Sequence, residues 1–279
     1  MLLSKQNDKE MLRIQFASRF SFNCSEILFS FCWLFCIGSA FCIFLDDKSN
    51  SCNLSIVIPF VFDVSAAITQ VLAVFFLNKG SSLRALFDDL LFEFIDNYGV
   101  KEKEYVLNIV KLFPKKAKLQ MNNTGDDNPP GVKNWYDLSP DTSHLQSVFE
   151  CQKENKWWDD KLTKRKILFT ILFVLIFLVA FSVLSYFSEK SFCQIVFCSA
   201  GIILKLIERI YANFKYYKKS VQINTLIENM ENNLTEANIL NLQAKINERR
   251  SMPVLGKNFI HKKVAKKLGS LYSNIKGEK

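Results

Sequence analysis

Apolar and polar positions along this chain are segregated into long blocks. Residues 27–45 form a run of 19 residues without a charge, bounded by Glu26 and Asp46. Residues 55–77 form a second run of 23 residues whose only charge is Asp63. Residues 167–188 form a third, 22 residues with no charge at all. A fourth begins at Ser191 and meets Lys205 after 14 uncharged residues, so it crosses fully only if Lys205 snorkels toward the headgroups. At about 1.5 Å of rise per residue, 19 residues reach roughly 28 Å, close to a hydrocarbon core of about 30 Å. Four membrane spans follow. The first run starts too far into the chain, behind a mixed-charge segment, and is too long for the apolar core of a cleaved signal peptide.

Between the spans the period becomes helical. In residues 81–98, Leu83, Leu86, Phe87, Leu90, Leu91 and Phe94 recur at helical spacing, with Asp88, Asp89, Glu93 and Asp96 on the opposite side. That pattern predicts an amphipathic helix continuing from span two. A second helix is expected at 101–112, and the polar segment 121–131 with its two prolines reads as a break. From Pro140, with Ser139 as N-cap, no breaker occurs until span three ends, which gives a helix of 49 residues. Such a helix is about 73 Å long, so roughly 40 Å stands clear of the membrane as a stalk. Span four is expected to run on in the same way through Tyr211, Phe214, Tyr217, Ile223 and Met230. A turn at 234–237 and a last helix at 239–249 precede Pro253 and a basic tail. The fold class is therefore all-α: a polytopic membrane protein with four transmembrane helices and long helical cytoplasmic stalks. Its expected parts are a cytoplasmic N-terminal segment (1–26), a transmembrane hairpin (27–77), a helical cytoplasmic domain (78–166), a second hairpin (167–208) and a cytoplasmic helical region with basic tail (209–279).

Composition adds direction. The chain has 279 residues and a formal charge of +9, and its near-zero mean hydropathy of +0.07 averages two unlike kinds of segment. Of 36 Lys and Arg, 34 fall on one side if both termini and the long central loop are cytoplasmic; Lys48 and Lys190 alone occupy the short hairpin loops. The tail from residue 205 holds 15 basic against 6 acidic residues, and the central loop 15 against 14. Most of the positive excess thus marks orientation beside an anionic leaflet, and DNA is not an expected partner. The eight cysteines lie mostly in or beside spans and form no Cys-x-x-Cys pair; a disulfide from Cys52 to another outward cysteine stays open.

Catalytic chemistry has little to stand on. Glycines are dispersed, the two closest being Gly125 and Gly131, so no phosphate-cradling loop is present. His144 and His261 have no matched carboxylate or cysteine constellation, which leaves no triad, metal site or cofactor to expect. A non-enzymatic membrane protein remains.

Two features are more specific. In span two, Asp63, Ala66, Ala67, Gln70 and Ala73 share one helical face, with Asp63 about 12 Å in from the outer end. An intramembrane carboxylate on a stripe of small residues suits a helix lining a wet pathway, and equally suits close helix packing. Pro59 precedes Asp63 by one turn. A pore would also need a homo-oligomer or a large rearrangement, since four helices in one chain pack solid. In the stalk below span three, Val148, Cys151, Asn155, Trp158, Leu162, Arg165 and Phe169 follow alternating three- and four-residue steps, a seam for a partner helix, flanked by Gln152 and Asp159. Anion-binding candidates are Lys161, Lys164, Arg165 and Lys166 beneath span three and Arg209, Lys215, Lys218 and Lys219 beneath span four, each equally readable as a membrane anchor.

Here a family resemblance emerges. Cys151-Gln152, Asn155, Trp158-Asp159, Leu162 and Arg165 just before a transmembrane run, preceded by Trp135-Tyr136, resemble the central signature of the SMODS-associating four-transmembrane effectors. Leu242-Gln243, Ile246 and Arg249 resemble the late motif of that family. Phe22 and Ser25-Glu26 stand where relatives carry an aromatic followed by Ala-Lys, and Pro253-Val254 where they carry Pro-Asp. The resemblance implies an effector of a bacterial nucleotide-signalled anti-phage system, silent in the inner membrane until a cyclic nucleotide ligand or partner acts on its cytoplasmic part. It would then permeabilise the lipid bilayer. The alternative is a non-conducting adaptor whose cytoplasmic helices bind a protein.

Overall fold

The computed structural model describes residues 2–42, 54–137, 142–187, 195 and 199–253. Among the described residues there are eight helices: α1 (Leu2–Lys5), α2 (Lys9–Phe41), α3 (Leu54–Leu91), α4 (Val100–Leu112), α5 (Pro114–Asn122), α6 (His144–Tyr186), α7 (Ala200–Met230) and α8 (Glu236–Arg250). Among the described residues the sole β-type contact is an isolated bridge between Thr124 and Lys133. The protein is all-α.

Four of these helices are too long for a bilayer alone. At about 1.5 Å per residue, α3 is roughly 57 Å long and α6 roughly 64 Å, against a hydrocarbon core of about 30 Å. Among the described residues α2, α3 and α6 are long and apolar enough to cross a membrane. Their most apolar windows are only 39%, 17% and 6% buried within the chain, which leaves Phe and Leu side chains for lipid. Residues 191–194 and 196–198, the first part of span four, lie outside the described residues, and α7 carries on from Ala200. Cys52, Cys193 and Cys198 also lie outside them; Cys24, Cys32, Cys36, Cys42 and Cys151 are free thiols.

The first two long helices pair along small residues. Ala66, Ala73 and Gly80 recur every seven positions on α3, facing Ser18, Ser25 and Cys32 of α2. Small side chains let the backbones approach, and hydroxyls satisfy themselves on the facing carbonyls: Ser18 Oγ donates to Gly80 O at 2.8 Å and Ser25 Oγ to Ala73 O at 2.8 Å. A β-carbon at Gly80 would sit 3.0 Å from the Phe22 ring, so a larger residue there would push that ring aside.

Outside the apolar part, the same helices enter a polar-surfaced body with a large core. Ile14 and Phe16 of α2, Phe87 and Leu91 of α3, Ile109 of α4, Val148 and Cys151 of α6, Ile223 of α7 and Leu242 and Ile246 of α8 are buried together. Residues 9–26, which read from sequence as a mixed-charge segment, are thus the first half of α2 and contribute core side chains. The helix expected over 81–98 stops at Leu91, because Glu93 takes a left-handed φ of 63° and the Phe94 amide closes back on Asp89 O at 2.9 Å. Ser139 and Pro140, expected to start the long stalk, lie outside the described residues; the helix begins at His144, with Ser143 Oγ accepting the Gln146 amide at 3.3 Å. Thr235 caps α8 likewise, accepting the Asn238 amide at 3.3 Å.

Candidate functional site

The polar body is organised around Asp88, whose carboxylate is fully buried. It accepts from Tyr136 Oη at 2.8 Å and Gln243 Nε2 at 3.1 Å, and pairs with Arg250 Nη1 at 2.7 Å. Asn155 Nδ2 donates to the same Tyr136 hydroxyl. Gln152 Nε2 donates to Gln243 Oε1 at 3.0 Å and to Ile239 O at 3.1 Å. Tyr136 is itself held by backbone pairing to the N-terminal segment, its amide on Gln6 Oε1 at 2.9 Å and its carbonyl receiving Gln6 Nε2 at 3.1 Å. Trp135, half exposed, covers the buried Arg84 guanidinium at 3.8 Å from its ring, and Arg84 donates to Gln15 at 2.7 Å.

A second carboxylate, Asp159, makes the companion centre. It receives Tyr216 Oη from α7 and pairs with Arg249 Nε of α8 at 3.3 Å. Consecutive arginines at the end of α8 therefore hold two different stalks: Arg250 the one below span two, Arg249 the one below span three. Burial pushes the Tyr136 and Tyr216 phenols well above their ordinary range, with Asp88 and Asp159 adding to it, so both stay protonated as donors. Burial brings the Arg84 guanidinium down to about 10, and it still carries its charge at neutral pH. For Arg250 burial is the largest single influence and works downward, but Asp88 and Tyr136 together outweigh it and hold the group above its usual value. Among the described residues, Gln152 Oε1, Arg249 Nη1 and Arg250 Nη2 are buried with no hydrogen-bond partner, so the network is incompletely satisfied.

The residues singled out from sequence fall as follows. Tyr136, Gln152, Asn155, Asp159, Gln243 and Arg249 converge on these two centres. Cys151 and Leu162 are apolar core. Trp158 is half-buried against Trp157 at 5.5 Å, and Arg165 is half-buried. Lys161 and Lys164 are exposed on α6, Lys215 and Lys218 on α7, while Lys219 pairs with Glu248 at 2.7 Å. Arg209 is buried and donates to Pro253 O at 3.2 Å. The side chain of Lys166 lies outside the described residues. Asp88, Arg84 and Arg250 were not singled out. Helical periodicity places Asp88 among the polar residues of its helix, and only the packing of Tyr136 and α8 onto that side buries it.

In the apolar part a cleft of about 360 Å³ opens between α3, α7 and α2. Asp63, Ala66, Ala67 and Gln70 of span two line it with Gly201, Lys205 and Glu208 of α7 and Cys32 and Cys36 of α2. Ala73 does not reach it; that residue is fully buried in the seam with α2. Lys205 does not snorkel. Its amino group turns inward, donating to Gln70 Oε1 and pairing with Glu208 at 2.9 Å. Gln70 Nε2 in turn donates to the Glu208 carboxylate at 3.2 and 3.3 Å.

Long apolar helices merging into one polar-surfaced body with an apolar core, with ionisable residues gathered in a cleft between the helices, define a polytopic all-α membrane protein. The family model for the SMODS-associating 4TM effector domain matches residues 2–270, and the chain belongs to that family. Three of the described helices qualify as spans, and the family is a four-transmembrane domain. No curated protein and no solved structure matches the chain.

Proposed function

We propose that the protein is a triggered membrane effector of the bacterial inner membrane, with termini and body cytoplasmic, that forms a pore or disrupts the bilayer when a cyclic nucleotide messenger or partner acts on the body. The observation that carries this reading is the cleft: along it the polar stripe of span two meets charged side chains of α7, with Gln70 bonded to Lys205 and Glu208, and Asp63 lining the space beside Gly201. Intramembrane ionisable groups are expensive and are functional candidates by default. The body supplies the restraint. Helix α8 clasps two stalks through adjacent arginines, Arg249 on Asp159 and Arg250 on Asp88. Release would let the stalks, each continuous with a span, move the cleft walls.

Self-association fits the same reading. On α7, Leu204, Ile207, Tyr211, Phe214 and Val221 are exposed at heptad-like steps that begin in the apolar part and run into the body, a face for a second copy of the chain. The function is non-enzymatic and needs no cofactor. Antiviral defence by abortive infection is the biological outcome of such permeabilisation.

The test is potassium and dye release from liposomes holding the full chain, with cyclic di-AMP, cyclic di-GMP and cyclic GMP-AMP added in turn. Release dependent on one nucleotide supports the proposal. A correctly inserted protein that releases nothing with any of them favours the adaptor reading.

A further inference from the structure

Spans two and four lie in parallel register along the cleft. Asp63 faces Gly201, where a β-carbon would come within 3.3 Å of Asp63 Oδ1, and one to two turns further on Gln70 faces Glu208. Glycine at 201 therefore keeps the space beside Asp63 open. At the other end the space is filled by one group, the ammonium of Lys205, in a residue only 8% exposed. Its neighbours are the Gln70 amide oxygen, a Glu208 carboxylate oxygen at 2.9 Å and the face of the Phe29 ring at 5.9 Å. Two oxygen donors of amide and carboxylate type and an aromatic face are what a partly dehydrated monovalent cation would take. The remaining carboxyl group, Asp63, makes no hydrogen bond or ion pair among the described residues, so by formal charge Asp63, Glu208 and Lys205 give the cleft one more acidic than basic side chain.

We infer that the Lys205 ammonium is a tethered cation plugging a cation site between spans two and four, and that Gln70, Glu208 and Asp63 make the path selective for monovalent cations. The inference rests on the pore reading and deepens it. With the ammonium withdrawn, the cleft carries two carboxylates and no fixed positive charge, so it attracts cations and repels chloride. Withdrawal needs the Lys205 side chain to leave Gln70 on the facing helix and Glu208 on its own helix, a swing of the lysine side chain that leaves Gln70 and Glu208 facing each other. A merely structural ion pair makes a different prediction: its loss lowers stability and opens nothing.

The experiment is resting ion flux from liposomes holding full-length Lys205→Met, with insertion and helical content checked against the wild type. Potassium leak without any trigger should rise about tenfold or more, with little chloride leak. Lys205→Arg, which keeps a cation in the site, should leak less than Lys205→Met. Adding Gln70→Leu and Glu208→Gln to Lys205→Met should reduce the leak again by removing the oxygen site. An inserted Lys205→Met protein as tight as wild type overturns the inference, as does a leak that passes chloride equally. If wild type conducts with one of the three cyclic dinucleotides while Lys205→Met is silent at rest, the plug fails and the pore reading stands. If both are silent under every condition, both fail.

Discussion

The two carboxylate-centred regions of this molecule treat charge in opposite ways. In the body, Asp88 and Asp159 are enclosed by arginines, phenols and amides and packed about with apolar side chains. In the apolar part, Asp63 faces an open cleft and Glu208 is half exposed beside Lys205. A buried pair surrounded by core is strongly destabilising to break, because the partner left behind has no solvent. A pair at the edge of a cleft can exchange partners at lower cost. The difference suggests a division of labour: the body sets which arrangement of the long helices is stable, and the cleft responds to that arrangement.

The comparison can be broken at its strongest point first. Asp88→Asn keeps the shape but leaves Arg250 and Arg84 as buried cations, and should destabilise the body by about 3–5 kcal/mol. Thermal unfolding in detergent measures it; an unchanged midpoint would mean that Asp88 is not the anchor. Gln243→Leu removes the link between Gln152 and Asp88 without removing charge, and about 1–3 kcal/mol is expected by the same measurement. The smallest effect is a pH slope. Burial, and next the Asp88 charge, hold Asp89 up at about 6, against an ordinary value of 3.8. A raised folded pKa means that the folded state binds the proton more tightly. The stability it adds is therefore full below 3.8 and lost as the pH rises through about 6. Asp89→Asn should flatten stability across that window, and an unaltered slope would assign it to another group.

Much of this architecture is legible in the sequence because membrane spans and amphipathic stalks are local patterns. The helix at Val100–Leu112, the long helix through span three and the break before α8 are expected from the sequence, though the long helix starts at His144 on a Ser143 cap and not at the Ser139-Pro140 pair, which lies outside the described residues. What escapes is long-range. The hydroxyl of Tyr136 reaches Asp88 across 48 residues and Gln243 reaches it across 155, so a helical wheel, which sees one helix, sets Asp88 toward water. Lys205 and Gln70 are 135 residues apart, and in isolation a lysine near a span end reads as an anchor. The first half of α2 hides for another reason. Its buried side includes Gln15, Ser18 and Ser25, bonded to α3, and Ser21, bonded to Tyr105 of α4, polar residues buried by helices far away in sequence. The motif residues Tyr136, Gln152, Asn155, Asp159, Gln243 and Arg249 are legible as a set through family resemblance, while their convergence on two carboxylates is visible only in three dimensions.

The division between a restraining body and a responding cleft is tested most directly by ion flux through the double variant Asp63→Ala with Gln70→Ala, measured in liposomes beside the wild type under whichever nucleotide opens it. Flux should be suppressed in the double variant while membrane insertion and the thermal midpoint of the body stay at wild-type values. Undiminished flux in a fully inserted protein would contradict the cleft as the pathway.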